Sequence, residues 1–147
     1  MFVVDTNLLV YAADTYSPVS DRCLALLEEW SRQPSAWFVT WGICYEFLRI
    51  TTHPRILRSP WSAGEAHSFL EELFAALGLS VLTPTDRHAS VLAQVLRELP
   101  DLSGNRMHDL EIAVLMREHG VKRIYTRDTD FHRFSFLEPV DPLTKQA

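Results

Sequence analysis

Short apolar runs alternate along this chain with longer segments in which apolar residues recur about every 3.6 positions. The short runs are typical of buried strands, because they are brief, apolar and bounded by turn-forming residues. The longer segments are typical of amphipathic helices. The pattern predicts strands at 2–4, 36–39, 79–82 and 123–126, with a short edge strand at 136–140. It predicts helices at 8–13, 19–32, 42–51, 62–77, 86–99 and 106–118.

Alternating strands and helices predict an α/β domain with a mainly parallel central sheet of four to five strands. A chain of 147 residues corresponds to one domain, and this one contains no internal repeat or interdomain linker. We therefore expect residues 1–147 to form a single domain. In sheets of this kind, ligands bind beyond the carboxyl ends of the strands.

The predicted helix at 106–118 carries an acid whose surroundings are apolar. Asp109 lies one turn inside the start of this helix, where the helix dipole and the unpaired N–H groups favour a carboxylate. Its neighbours Met107, Leu110 and Val114 have the spacing of a stripe that faces a core. A single acid here is typical of helix initiation. Three further acids in similar apolar settings, however, favour a functional interpretation.

Four carboxylates are expected to converge at one edge of the sheet. Asp5 and Asp128 each follow a predicted strand, and right-handed crossovers place the carboxyl ends of parallel strands on the same side. Glu46 and Asp109 lie on helices that follow a strand or a loop, so their N-terminal halves can reach that edge. Asp130 is a candidate for a fifth acid in the same group.

Carboxylates packed together repel one another, and burial adds a desolvation cost. Such a site is therefore expected to take up protons or to bind hard cations, and carboxylate oxygens suit Mg²⁺ or Mn²⁺. One or two such ions could activate a water molecule and stabilise a phosphodiester transition state. His67 and Glu71 have the spacing of a zinc pair, but a solvated helix face is the better interpretation. The sequence contains no P-loop, dinucleotide-binding glycine motif or nucleophile elbow.

Composition favours a globular cytoplasmic protein. The hydrophobic fraction of 47% and the charged fraction of 22% are ordinary, and no apolar run is long enough to span a membrane. The N-terminus lacks the basic region expected of a signal peptide. Cys23 and Cys44 are predicted to be reduced core thiols. The net charge of −5 does not favour nucleic acid by bulk electrostatics, but is compatible with it if the acids hold cations.

Four short motifs resemble, in their order and spacing, those of the PIN-domain ribonucleases. More narrowly, the chain resembles the VapC-like toxins of bacterial type II toxin–antitoxin pairs, and segments 47–50 and 53–56 resemble one branch of these toxins. The resemblance covers nearly the whole chain and implies a three-layer α/β/α fold. The motifs are Asp5-Thr6-Asn7, Glu46, His108-Asp109 with Ile112-Ala113, and Thr126-x-Asp128-x-Asp130-Phe131.

The resemblance implies an endoribonuclease that depends on Mg²⁺ or Mn²⁺. Asp5 and Asp109 would be the principal metal ligands. Glu46 and Asp128 would complete the acidic pocket, directly or through water. Asp130 would support the pocket from its rim.

Three polar residues of the motifs have weaker assignments. Thr126 and Thr6 would orient water or a carboxylate, although a strand-end hydroxyl that binds local backbone is an equally good interpretation for each. Asn7 would either hold the loop after the first strand or cap the following helix, and the cap is slightly preferred.

The resemblance also implies partners: an RNA substrate, a cognate antitoxin protein and a second copy of the chain in a homodimer. Two rival functions stay open at this point, namely a PIN-like binding module without catalytic activity and a metal-dependent phosphatase or DNase. The aromatic candidates for base stacking are the four Trp residues, Tyr16 and Tyr45, although core or dimer contacts are the better interpretation for most of them. The candidates for phosphate contacts are Arg49, Arg55, Arg58, Arg106 and Arg127, although a surface salt bridge is the better interpretation for any one of them.

Overall fold

A single five-stranded sheet, in which every neighbouring pair of strands is parallel, forms the centre of the fold. The structure is a computed structural model that describes residues 1–144. The strand order is β3-β2-β1-β4-β5, so the first strand is the central one. The strands are β1 (Phe2–Val4), β2 (Trp37–Thr40), β3 (Leu79–Leu82), β4 (Arg123–Tyr125) and β5 (Glu138–Val140).

Six α-helices connect and cover these strands, so the predicted three-layer α/β/α fold with a mainly parallel sheet is confirmed. Helix α1 packs against both α2 and α3, whereas α5 packs against α6. A short 3₁₀ helix at Thr129–Arg133 follows β4. The helices are α1 (Thr6–Ala13), α2 (Ser20–Arg32), α3 (Trp41–Thr52), α4 (Ala63–Phe74), α5 (His88–Glu98) and α6 (Arg106–His119).

The core is densest around β1, whose three residues are all buried. Phe2 contacts Trp30, Trp37 and Tyr125 with ring centroids 5.3, 6.0 and 4.9 Å apart, respectively. Aromatic pairs at these separations add to the free energy gained by burial. Trp30 and Trp37 are therefore core residues rather than base-stacking surfaces, as most of the tryptophans were expected to be.

Helix α6 is the most deeply buried helix of the described chain, with an unbroken buried run from residue 112 to residue 116. The helix ends at Gly120, whose φ of 70° is the left-handed conformation that glycine adopts most readily. Helix α4 begins, as its sequence predicts, with a capping box between Ser62 and Glu65. It ends at Phe74 and not near residue 77.

Two details of the predicted pattern are wrong. Helix α5 buries only Val95 fully, whereas Ala89 and Leu96 were expected to face inward and are exposed. Edge helices tolerate such apolar positions, because much of any folded surface is apolar. Cys23 and Cys44 are free and buried, as expected. None of the helices within residues 1–144 combines the length and apolar character that crossing a membrane requires.

Candidate active site

Asp5 links the central strand to the first helix. It follows β1 directly and is the N-cap of α1, where its Oδ1 accepts a hydrogen bond of 2.7 Å from the backbone N–H of Thr6. An Asp at this position is common because its side chain satisfies an otherwise unpaired helical N–H. Asp5 is only 6% exposed, so its carboxylate is held in one orientation beside the sheet.

Thr126 joins the ends of two neighbouring strands. Its hydroxyl donates to Asp5 Oδ2 at 2.7 Å and accepts from the backbone N–H of Asp128 at 2.9 Å. The side chain of Asn7 donates to the same two oxygens, Asp5 Oδ2 at 3.3 Å and Thr126 Oγ1 at 3.2 Å. Asn7 thus ties the ends of β1 and β4 together, and the preferred interpretation as a helix cap is wrong.

The other acids reach the same edge from α6 and from the 3₁₀ helix. Asp128 is the N-cap of the 3₁₀ helix and accepts a hydrogen bond of 2.9 Å from the N–H of Asp130. Asp109 lies in the first turn of α6, as predicted. One carboxylate oxygen from each of Asp109, Asp128 and Asp130 lies within 4.8 Å of the other two.

These acids surround a single cavity of about 650 Å³. The structure therefore brings Asp5, Glu46, Asp109, Asp128 and Asp130 to one place, although Glu46 lies on the α3 wall. Thr126 reaches the cavity through its hydrogen bond to Asp5 rather than by lining it. The other lining residues are Thr6, Asn7, Val10, Tyr11, Arg49, Ile50, Gly104, Asn105, Arg106 and His108.

Burial and like charges together raise the pKa values of two of these acids. Burial is the largest cause for Asp109, whose pKa rises to about 7, and the charges of Asp128, Asp5 and Asp130 raise it further. The pKa of Asp5 is also raised, first by burial and then by Asp128, against hydrogen bonds from Thr126 and Thr6 that lower it. The group as a whole is therefore short of positive charge.

Glu46 has different surroundings. Its carboxylate accepts two hydrogen bonds from Arg49, Nε to Oε2 at 3.1 Å and Nη2 to Oε1 at 2.6 Å. Hydrogen bonding to Arg49 is the largest of the causes that hold the pKa of Glu46 below its ordinary value. Glu46 faces a guanidinium, whereas the other acids face one another.

The predicted phosphate and base contacts divide between the cavity and the surface. Arg49 and Arg106 line the cavity. Arg127 pairs with Asp141 at 3.3 Å, and Arg58 lies over the ring of Tyr16 at 4.6 Å. Among the aromatic candidates, Trp41, Tyr45 and Tyr16 are exposed at 53, 70 and 57%, respectively.

Sequence analysis gave no role to His108 or Tyr11, which both line the cavity. His108 Nε2 is buried, and no hydrogen-bond partner for it is found within residues 1–144. Its place immediately before Asp109 was the available signal. The Thr6 hydroxyl is likewise buried without a partner among the described residues, so the hydrogen bond predicted for it is not formed.

The donor set fits a hard divalent cation. All the ligand atoms on offer are carboxylate oxygens, with neither thiolate nor a second histidine in the group. The raised pKa of Asp109 has the same physical cause, because mutual repulsion among the acids is what a cation would relieve. His67 and Glu71, by contrast, pair with each other on an exposed face of α4.

Fold and site together define a class of protein: a parallel α/β domain with an acidic pocket at the carboxyl edge of its sheet. The PIN domain family model matches residues 2–137. The ribonuclease VapC33 of Mycobacterium tuberculosis is 30% identical over 97% of this chain and 99% of its own. The ribonuclease VapC48 of the same species is 26% identical over 95% and 96%. The chain belongs to the PIN-domain family, within its VapC ribonuclease group.

Solved structures agree on the fold. VapBC2 from Rickettsia felis, bound to a DNA fragment from its promoter, matches with a TM-score of 0.65 at 16% identity, over 95% of this chain and 96% of that one. VapC20 from M. tuberculosis, described as a toxin that cleaves the sarcin–ricin loop, matches with a TM-score of 0.63 at 17% identity, over 94% and 98%.

Proposed function

We propose that this protein is an endoribonuclease that depends on Mg²⁺ or Mn²⁺ and acts as the toxin of a toxin–antitoxin pair. The observation that carries the proposal is the group of three carboxylates within 4.8 Å of one another, on a cavity that Asp5 also lines. Groups of this composition match the oxygen ligands that Mg²⁺ and Mn²⁺ take. Membership of the VapC ribonuclease group supports RNA as the substrate.

The acids of this chain would hold the cation between them. Asp109, Asp128 and Asp130 offer the mutually close oxygens, and Asp5 offers Oδ2 from the neighbouring wall. When bound, the cation would supply Lewis-acid stabilisation of the charge that develops on a phosphodiester. Glu46, with its different partner, is considered separately below.

Other side chains position the acids. Thr126 restrains Asp5 and the backbone of Asp128 at once, so one hydroxyl sets the relative position of carboxylates from two strands. Asn7 reinforces the same link. Such supporting hydrogen bonds typically matter 10- to 100-fold for metal affinity or activity. Arg106, which lines the cavity, offers a positive charge to an RNA phosphate.

The toxin role brings a protein partner with it. Solved structures of similar fold are described as VapBC and FitAB assemblies. An antitoxin that places a basic side chain in the acidic pocket would compete with the cation and silence the site. Action on RNA places the protein in the cytoplasm, and a homodimer is the oligomer we expect.

Substrate preference and metal dependence test the proposal directly. Purified wild-type protein should cut single-stranded RNA with Mg²⁺ or Mn²⁺, stop in EDTA, and leave single-stranded DNA and a small phosphomonoester intact. Asp5→Ala should abolish the cutting. Preferential hydrolysis of DNA or of the phosphomonoester would refute the ribonuclease assignment, as would an Asp5→Ala protein that cuts RNA like wild type.

Growth tests the toxin role and the rival of a silent binding module. Expression without a partner should arrest growth, and co-expression of the neighbouring small reading frame should relieve the arrest. A protein that is tolerated when expressed alone, at the same soluble level as a toxic preparation of Asp109-intact protein requires, would favour the binding module.

A further inference from the structure

Glu46 and Arg49 form an ion pair on the wall of the acidic cavity. Both residues line the cavity, and both lie on the same side of α3 at i and i+3. The two hydrogen bonds between them, at 3.1 and 2.6 Å, use both oxygens of the carboxylate. The side chain of Arg49 is 59% exposed and that of Glu46 is 28% exposed. The pair is therefore open to whatever enters the cavity.

The carboxylate of Glu46 stands apart from the other acids. The three mutually close carboxylates are those of Asp109, Asp128 and Asp130. Asp109 is influenced by the charges of three other aspartates, and none of the influences on either Asp109 or Asp5 comes from Glu46. Within the described residues, Glu46 is thus electrostatically a partner of Arg49 and not a member of the aspartate group.

The guanidinium of Arg49 keeps free donors while it is held. A guanidinium carries five N–H groups, and the pair with Glu46 uses one on Nε and one on Nη2. Three N–H groups are left over in this pairing. A guanidinium that is oriented by a carboxylate on one edge can bind a phosphate with another, and it loses less conformational entropy when it does so.

We propose that Arg49 binds an RNA backbone phosphate and that Glu46 is the residue that positions it, rather than a ligand of the cation. The inference rests on the proposed ribonuclease function and assigns the α3 wall of the same cavity to the substrate. The cavity then has two sides: aspartates that hold the cation, and a held guanidinium that holds the phosphodiester beside it.

An ordinary helix-surface ion pair is the competing explanation. Exposed pairs at i and i+3 are common and contribute little to stability. The location separates the two explanations, because a purely structural pair has no reason to affect RNA binding. The prediction therefore concerns affinity for RNA and for the metal ion, and not the free energy of unfolding.

RNA affinity is measured by fluorescence anisotropy with a labelled single-stranded RNA in EDTA, where no cutting occurs. Arg49→Gln should weaken binding about tenfold, the loss expected for a charged hydrogen bond. It should also reduce the slope of log affinity against log salt by about 0.7, the value for one phosphate contact on a single strand. Arg32→Gln, on an exposed site of α2, is the matched control because it removes the same charge outside the cavity.

Metal affinity is measured by calorimetric titration of Mn²⁺ without RNA. Glu46→Gln should bind Mn²⁺ as wild type does, whereas Asp128→Asn should bind it at least about tenfold more weakly. In RNA cleavage, Glu46→Gln should act mainly on KM. Its effect should disappear in the Arg49→Gln background, because a positioning residue has nothing left to position.

Each result has a defined meaning. The inference is overturned if Glu46→Gln loses Mn²⁺ affinity as strongly as Asp128→Asn, or if Arg49→Gln binds RNA like Arg32→Gln. It is also overturned if the two substitutions act independently. A wild-type protein that cleaves no RNA overturns the proposed function and this inference together. Wild-type cleavage combined with any of the first three results overturns this inference alone.

Discussion

Helix α6 carries one carboxylate near each end, and the two have opposite surroundings. Asp109 lies in the first turn and Glu118 in the last, about 13 Å apart along the helix axis. Both are screened from solvent, and Glu118 has a side chain that is 0% exposed. Burial raises the pKa of each carboxyl, yet the pKa of Asp109 ends near 7 and that of Glu118 ends below its ordinary value.

The partners explain this difference. Glu118 accepts from the N–H and hydroxyl of Thr85 at 2.8 and 2.7 Å, and pairs with His88 Nδ1 at 2.6 Å. Arg87 additionally donates to the backbone carbonyl of Glu118. These hydrogen bonds outweigh the desolvation of the carboxylate. Glu118 therefore fastens the segment between β3 and α5 to the end of α6.

Asp109 has acids where Glu118 has donors. Its nearest charged neighbours are Asp128, Asp5 and Asp130, and only Arg106 offsets them. The comparison teaches that burial of a carboxylate does not by itself mark a functional site. A satisfied buried acid stabilises the fold, whereas an unsatisfied group of acids spends stability on binding a cation.

The largest expected effect is on catalysis by the unsatisfied acid. Asp109→Asn should lower RNA cleavage with Mg²⁺ by at least about 100-fold, since even supporting residues of metal sites matter 10- to 100-fold. The fold should persist, because the substitution removes repulsion. Asp21→Asn, in the exposed first turn of α2, is the control and should cleave normally. Cleavage by Asp109→Asn near the wild-type rate would remove the distinction between the two acids.

Loss of the satisfied acid should act on stability instead. Glu118→Ala leaves the Thr85 donors and His88 without their acceptor, and should lower the free energy of unfolding by about 3 kcal/mol. Urea unfolding measures this loss. RNA cleavage per folded molecule should stay close to wild type. Glu98→Ala, which breaks the exposed pair with Arg117, should change stability only marginally. A stable but inactive Glu118→Ala protein would contradict the structural role.

The two acids should also produce pH dependences of opposite sign. The pKa of Asp109 rises from 3.8 to about 7 on folding. Between these values the folded protein keeps a proton that the unfolded chain releases, so stability falls as pH rises. The pKa of Glu118 lies below 4.5 when folded, so its stabilisation is present above pH 4.5 and is lost as pH falls through the folded pKa.

Urea unfolding in EDTA between about pH 4 and pH 8 measures both slopes. Asp109→Asn should remove the decline toward high pH, which we expect to be no more than about 2 kcal/mol once solvent screening is allowed for. Mg²⁺ should stabilise the wild-type protein more at high pH than at low pH, because it binds the deprotonated acids. Equal slopes in wild type and Asp109→Asn would show that Asp109 does not titrate as described.

The smallest expected effect concerns the hydroxyl that supports the acids. Thr126→Val removes the hydrogen bonds to Asp5 and Asp128, and should weaken Mn²⁺ binding about tenfold. Thr6→Val is the matched control, because the buried Thr6 hydroxyl has no hydrogen-bond partner among residues 1–144. That variant should bind Mn²⁺ normally and be at least as stable as wild type. Equal losses in the two variants would argue for a general packing defect.

Much of the site was predictable because parallel sheets impose a rule on strand ends. Asp5 and Asp128 follow apolar runs, and those runs became adjacent strands with β1 at the centre. Asp109 was predictable from helical periodicity and from its place in the first turn. The motif order that resembles the PIN family added the expectation that these acids meet. The roles assigned to these residues are still predictions.

Hydrophobic periodicity and turn residues in the sequence alone determined the α/β class, the parallel sheet and the set of acids near its carboxyl edge, because these follow from local pattern and chain direction. Only the tertiary structure decided which acid has which partner. Glu118 meets Thr85 from 33 positions away, and Glu46 turns to Arg49 and not to the aspartates. Such pairings depend on side-chain conformations and on contacts between distant elements, which no local pattern encodes.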